Sequence, residues 1–183
     1  HGDFMKRLNS KKNERSGGSR VHVVEIGGRA RCDARKSCDG IERNYRGLHY
    51  TSMDVLAGPN VDVVGDAHHV SQLFPPSSVA GLVAHSVWGH LAMPWKVSLE
   101  LNKIMRVGAV GLIKTHQTLG LHDFPWDFYR FSKYTWTTLF NAYTGFEIID
   151  SQHHTPVHII PQAVASPEWW FERTSERSSG FMV

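Results

Sequence analysis

Val23-Val24-Glu25-Ile26-Gly27-Gly28 is an apolar, largely β-branched run that carries one acid and ends in two glycines. A continuous apolar stretch bounded by a turn signal reads as a buried parallel strand, covered on both faces, that hands over to a ligand-facing turn. Glycine matters there because its missing Cβ lets a bound group approach the backbone. Any strand followed by a glycine turn carries that signal, so the weight comes from its surroundings. Leu48 to Val55 reads as a second strand with Asp54 near its carboxyl end, and Val61 to Asp66 as a third, followed by Ala67.

Working outward, Arg29 to Gly47 has room for a crossover helix, although its apolar pattern is thin and Gly40 interrupts it. Leu56 to Asn60 leaves only five residues between the second and third strands, where a parallel crossover takes about a dozen. The usual helix is therefore missing, and the third strand is reached by an extended connection or is a short edge strand. Phe74-Pro75-Pro76-Ser77-Ser78 is turn chemistry, and Val79 to His85 follows as a fourth strand. Pro94 suits the first turn of a helix with Val97, Leu101, Ile104 and Met105 on one face, and Val110 to Thr115 makes a fifth strand. Ser132 predicts a capped helix whose inward face is Trp136, Leu139, Phe140 and Tyr143, closed by a left-handed Gly145. Phe146 to Asp150 and Pro156 to Ile160 read as two strands joined by a short turn. The alternation predicts a doubly wound, mostly parallel, Rossmann-like α/β sheet ending in an antiparallel hairpin.

The chain has 183 residues, enough for one ordinary domain with a full core. Residues 1–20 are basic and rich in Ser, Asn and Gly, and are expected as a disordered or appended arm. The domain itself is expected over residues 21–161, with a tail over 162–183, including Trp169-Trp170-Phe171, that packs on the domain or on a partner. Two cysteines, Cys32 and Cys38, form neither a disulfide framework nor a CxxC pair. With no apolar run near the length of a membrane span, a cytoplasmic protein without a membrane partner is expected. The net charge is +3, but the basic residues cluster away from the aromatics, which argues against a nucleic-acid surface. Twelve histidines show no HxH or HExxH spacing, so no metal site is expected.

In a doubly wound sheet, ligands sit outside the carboxyl ends of the strands at the switch point between the first and fourth. Glu25-Gly27-Gly28, Asp54, Asp66 and His85 to His90 fall on that edge. On these residues, over about Val21 to Ile160, the chain resembles the class I S-adenosylmethionine-dependent methyltransferases. The resemblance implies that Glu25, Gly27 and Gly28 approach the methionine part of the cofactor, that Asp54 takes the ribose hydroxyls and that Asp66 with Ala67 holds adenine. Ser86 to Leu91 is similar to the family's segment after the fourth strand, so Ser86 joins the cofactor edge, His90 matches a family histidine, and Gly89 stands where the family often has an acid. His122-Asp123-Phe124-Pro125-Trp126-Asp127-Phe128-Tyr129-Arg130-Phe131-Ser132 resembles the His-x-x-Pro-x-Asp-Tyr-x-Arg-Phe-Thr signature of a small-protein branch, the most specific match. Arg29 and Arg31 depart from the family by occupying later glycine places of the turn, where they would crowd the cofactor or pair with its carboxylate.

Methyl transfer from a sulfonium is an in-line displacement, which needs contact between the partners and, for a hydroxyl acceptor, removal of a proton. His122 is the first expectation for a base and His90 the second, because imidazole titrates near neutrality. His116, Asp123, Trp126, Asp127, Tyr129 and Arg130 are the expected acceptor-binding residues, with an internal Asp127–Arg130 ion pair as the alternative. The leading expectation is O- or N-methylation of a small hydroxylated or amine-bearing metabolite using S-adenosylmethionine. Alternatives are an inactive partner subunit or homodimer, other chemistry on the same cofactor, and a histidine- and carboxylate-dependent metal enzyme.

Overall fold

The computed structural model of the chain describes residues 2–13, 21–29, 48–153 and 178–182. Its strands are β1 (His22–Ile26), β2 (His49–Asp54), β3 (Val63–Val64), β4 (Val79–His85), β5 (Met105–Thr115), β6 (Asp150–His153) and β7 (Ser178–Met182). They form one sheet in the order β3-β2-β1-β4-β5-β7-β6. The first five strands pair in parallel, and β7 runs antiparallel between β5 and β6. The order reverses between β1 and β4, which places the switch point, and the crevice outside it, beside the glycine turn.

Strand β1 is buried on both faces because its residues alternate between two cores. Val24 and Ile26 join Met53, Leu82, Ile113 and the aromatic residues Trp88, Trp136 and Phe140, under helix α2 (Pro94–Ile104). Val23 joins Ala80, Val83, Phe4 and Leu8 on the opposite face. The last pair belongs to helix α1 (Gly2–Asn13), which corrects the expectation that residues 1–20 lie outside the fold. Composition misled here because two apolar residues at i and i+4 suffice to dock a helix. Asp3 and Arg7 pair at the same spacing on the exposed side, at 2.9 Å.

The link between β2 and β3 has no helix, as the five-residue spacing requires, and β3 is a two-residue edge strand. Asp62 extends the edge by another means: its amide donates to the Ser52 carbonyl and its carboxylate accepts from the Ser52 amide at 2.8 Å. The helix expected from Ser132 to Tyr143 shrinks to a single turn, α3 (Trp136–Leu139). Thr135, Thr137 and Thr138 are poor helix formers, and Asn141 then diverts the backbone, accepting from the amides of Tyr143 and Thr144 while its Nδ2 donates to the Thr137 carbonyl. Trp136, Leu139 and Phe140 are buried as expected, but Tyr143 is fully exposed. Gly145 does adopt the left-handed conformation, with φ +82°.

The antiparallel end of the sheet is built differently from the expected short-turn hairpin. Phe146 to Ile149 is not a strand, β6 begins at Asp150, and its partner is β7 from the C-terminal tail. The expected strand at Pro156 to Ile160, the tryptophan pair and the crossover helix after Arg29 fall outside the described residues.

Candidate active site

The turn after β1 is folded over the end of β2. Gly27, at φ +76°, and Gly28 both donate their amides to the Met53 carbonyl, at 2.8 and 3.1 Å. A Cβ on Gly28 would overlap Ser52 Oγ and stand 3.1 Å from Glu25 Oε2, so the turn presses directly on the Glu25 carboxylate. Glu25 is buried and accepts a hydrogen bond from the Tyr50 hydroxyl. Burial pushes its carboxyl above the ordinary glutamate range, against the opposing effect of the Tyr50 bond.

Asp54 closes β2 on the other side of the same turn. Its Oδ2 accepts from the Arg29 amide at 3.3 Å and its Oδ1 from the Leu56 amide at 3.0 Å. Arg29 also lays its side chain over this carboxylate, with Nε 3.8 Å from Asp54 Oδ1, and the Asp54 side chain is 15% exposed. Arg29, expected to crowd the cofactor or pair with its carboxylate, lays its side chain on Asp54 at the end of β2. Arg31 lies outside the described residues.

Asp66 caps the 3-10 helix Ala67–Gln72, accepting from the His68 amide at 2.9 Å and from His68 Nδ1 at 2.6 Å. Burial raises its carboxyl, but these bonds outweigh it and hold it below the ordinary range. The ring is held in place because its Nε2 in turn accepts from the Met93 amide at 3.1 Å. Ala67 is buried, and Ser86, at φ +59°, turns the chain at the end of β4 with its amide on the Lys114 carbonyl. A non-glycine residue in that conformation at a strand end is the kind of local strain found at binding sites.

The histidine-bearing segment from 116 to 131 lies along the Trp88–His90 turn. Gly89 accepts from the amides of Phe128 and Tyr129 through its carbonyl, at 2.8 and 3.1 Å. A Cβ there would stand 2.9 Å from the Tyr129 carbonyl oxygen. That close approach explains glycine at this place, because a glutamate would push the two segments apart. The side chain of Asp127 is only 2% exposed and forms a two-armed pair with Arg130, Nη1 to Oδ1 at 2.6 Å and Nη2 to Oδ2 at 2.8 Å. Arg130 spends its other donors on the carbonyls of Leu119, Gly120 and Tyr129. The hydrogen bonds from Arg130 hold the Asp127 carboxyl far below the ordinary range, more than burial raises it. Asp127 and Arg130, expected on the acceptor, are therefore committed to each other and to the loop backbone, the alternative weighed from the sequence. The Tyr129 hydroxyl likewise donates to the Ala92 carbonyl at 3.1 Å.

This frame holds three imidazoles together. His122 takes its place by donating its amide to Asp127 Oδ2 at 2.8 Å, and its Nδ1 faces two acceptors, the Gly120 carbonyl at 3.0 Å and Asp127 Oδ2 at 3.2 Å. Two acceptors require a proton on Nδ1, which leaves the lone pair on Nε2. The His90 and His116 rings meet the His122 ring edge to face, at centroid distances of 4.9 and 5.9 Å. Asp123 stands beside His90, while Phe124, Trp126 and Phe128 expose their rings nearby in sequence. The expected catalytic and acceptor residues thus form one constellation, whose frame was not legible as such because the carbonyls of Gly120, Leu119 and Trp126 carry no side-chain signal.

No family model matches the sequence, and no curated protein matches it. Solved structures do match in fold. An S-adenosylmethionine-dependent methyltransferase from Archaeoglobus fulgidus is 14% identical, aligned over 98% of this chain and 92% of its own, with a TM-score of 0.56. A putative methyltransferase in complex with the Trm112 methyltransferase activator of Haloferax volcanii is 14% identical over 98% of this chain and 90% of its own, with a TM-score of 0.58. The 1,6-didemethyltoxoflavin-N1-methyltransferase of Burkholderia thailandensis, with 1,6-didemethyltoxoflavin and S-adenosylhomocysteine bound, is 13% identical over 98% of this chain and 76% of its own, with a TM-score of 0.60. The chain has the Rossmann-like fold of S-adenosylmethionine-dependent methyltransferases.

Proposed function

We propose that this chain is an S-adenosylmethionine-dependent methyltransferase acting on a small hydroxylated or amine-bearing molecule. The observation that carries the reading is the meeting of Glu25 and Asp54, from the tips of adjacent parallel strands, on the two sides of one glycine turn. A carboxylate can accept both hydroxyls of a ribose, and glycine at 27 and 28 lets the turn fold against Val87 and Ser52 beside these two acids. Glu25 and the Gly27-Gly28 turn would hold the methionine end, Asp54 the ribose, and Asp66 with Ala67 and Ser86 the adenine side. When bound, the cofactor supplies an electrophilic methyl group.

The chain's own share of the reaction is positioning and proton removal. His122 offers the Nε2 lone pair to an acceptor hydroxyl, and the Nδ1–H held by Gly120 and Asp127 fixes the ring in the tautomer that can accept a proton. The Asp127 carboxylate then stabilises the imidazolium that forms. His90 and His116 border the same space, with Asp123 and Trp126 supplying polar and apolar contacts. An amine acceptor would use the same base. We place this activity in the cytoplasm, because the sequence spacing of Cys32 and Cys38 fits no disulfide framework; no described helix is long and apolar enough to cross a membrane.

Calorimetric titration with S-adenosylmethionine and S-adenosylhomocysteine tests the reading. Wild-type protein is expected to bind both and Asp54→Ala neither, and absence of binding by the wild type sinks it. Mass spectrometry against a metabolite extract then identifies the acceptor. The Arg29 side chain over Asp54 favours a second reading, a non-catalytic partner subunit; it predicts no cofactor binding by the chain alone and a dimeric or hetero-oligomeric state.

A further inference from the structure

We propose that the methyl acceptor is an aromatic hydroxyl compound, a phenol whose ring rests on the exposed rings of the 116–131 segment and whose oxygen meets His122. The inference rests on the methyltransferase reading and names the acceptor class of that same site.

The segment is built inside out. Loops ordinarily send charged side chains to water and rings to the core, and here the charged pair is turned inward. All five N–H donors of Arg130 are taken, by the carbonyls of Leu119, Gly120 and Tyr129 and by both oxygens of Asp127. Asp127 accepts from the His122 amide as well, and the Tyr129 hydroxyl donates to the Ala92 carbonyl. The groups that would grip a sugar-like acceptor are therefore spent on holding the loop. What the loop turns outward is apolar: Phe124 is 72% exposed, Trp126 54% and Phe128 45%, with Leu121 exposed just before them. Trp95 is exposed in the first turn of α2, three residues past the Ala92 carbonyl that Tyr129 holds. Large apolar side chains exposed together mark a binding surface.

These residues are anchored beside the proposed base. The Trp126 carbonyl oxygen is 2.6 Å from His90 Nδ1, and the Phe128 amide donates to the Gly89 carbonyl at 2.8 Å. The His90 and His122 rings meet at 4.9 Å. A molecule laid on this part of the loop thus borders the His90–His122 pair, which makes it the acceptor and not a separate partner.

Two features select a phenol over an aliphatic alcohol. Phe and Trp faces stack offset or edge to face on another ring, a gain beyond the area buried. The second is proton affinity. A free imidazole titrates near ~6.5 and a phenol near ~10, whereas water, the reference for an unactivated hydroxyl, lies at about 15.7. A histidine base is far better matched to the phenol. The step balances: the phenol oxygen takes the methyl group as the carbon–sulfur bond breaks, the bonding pair stays on sulfur as a neutral thioether, and the phenolic proton passes to His122 Nε2.

Titration of naphthol fluorescence with the full chain, without cofactor, reads the surface directly. The wild type is expected to bind one equivalent. The double variant Phe124→Ser/Trp126→Ser should bind more than about tenfold more weakly, the effect of losing one ring contact or more. Tyr143→Ser, which removes an exposed ring elsewhere, should bind as the wild type does. If the double variant does not reproduce the wild-type circular dichroism, Trp126→Ser alone is compared, with at least about threefold weakening expected. With S-adenosylmethionine added, transfer to naphthol should exceed transfer to its saturated analogue decalinol and to myo-inositol by at least about 100-fold, and His122→Gln should keep naphthol binding while losing transfer by a similar factor. Absence of naphthol binding, equal binding by the ring variants, or transfer to myo-inositol as fast as to naphthol overturns the proposal and leaves the methyltransferase reading standing. A dimer that dissociates on Trp126→Ser overturns it too, and gives the rings to a second copy of the chain. Failure of S-adenosylhomocysteine to bind the wild type sinks the methyltransferase reading itself, and the acceptor assignment with it.

Discussion

Arg29 Nε stands 3.8 Å from Asp54 Oδ1, while the Arg29 amide donates to Oδ2 of the same carboxylate. One residue therefore covers, with its backbone and its side chain, the acid proposed to take a ribose. The side chain must swing off for a diol to bind, whereas the amide can stay. Arg29→Gly is expected to tighten S-adenosylmethionine binding about two- to fivefold, the range of a partly exposed ion pair. Titration calorimetry checks it, and weaker binding by the variant would instead make Arg29 a ligand contact.

Burial sets the sign of the Glu25 contribution to stability. Its carboxyl is raised by burial, so its neutral form is the one the fold prefers. A group with a raised folded pKa contributes stability that is present below its unfolded pKa and lost as pH rises through the folded value. Glu25→Gln should therefore raise the melting temperature at pH 8, with a smaller gain at pH 4, while weakening cofactor binding. Thermal melts at both values decide, and a variant less stable at pH 8 refutes the assignment.

The Asp127–Arg130 pair has the opposite sign. Its carboxyl is held low by Arg130, so its contribution is present above the unfolded pKa and lost as pH falls through the folded one. Removing one partner of a partly buried pair costs more than the ~1 kcal/mol of an exposed pair and less than the ~3–5 kcal/mol of a fully buried one. Asp127→Asn should lose stability on that scale at pH 7, and the gap from wild type should narrow only well below pH ~4. In the proposed mechanism kcat falls more than the acceptor KM rises, because the His122 ring loses its Nδ1 anchor. Urea unfolding across pH and steady-state kinetics separate the two effects.

Helix α1 is tested by truncating what docks it. Phe4 and Leu8 are fully buried against the sheet, and Phe4→Ala or Leu8→Ala should each cost about 2–4 kcal/mol. An unchanged urea midpoint in both would place the helix off the fold.

The parallel half of this sheet was legible because Val23 to Ile26, interrupted only by Glu25, and Val79 to Ala84 are apolar runs, a pattern few other structures use. The acids at the strand tips were legible for the same reason: an Asp or Glu ending such a run stands out. Helix α1 was hidden by its charged majority, since two docking residues carry no composition signal. The Ser132 helix was overread because apolar spacing says nothing about Asn141 competing for backbone groups. At the site, the histidines could be named but not grouped: His90 and His122 meet only because Gly89 admits the Phe128 and Tyr129 amides, a contact made by an atom that is missing.

The insertion of β7 between β5 and β6 bears on biosynthesis. As the nascent chain leaves the ribosome, β6 emerges before the strand that joins it to the sheet, and until residues 178–182 arrive the β5 edge presents open amides and carbonyls. That step is thus a threading of later sequence into a gap flanked by earlier sequence, and chaperone dependence should concentrate there.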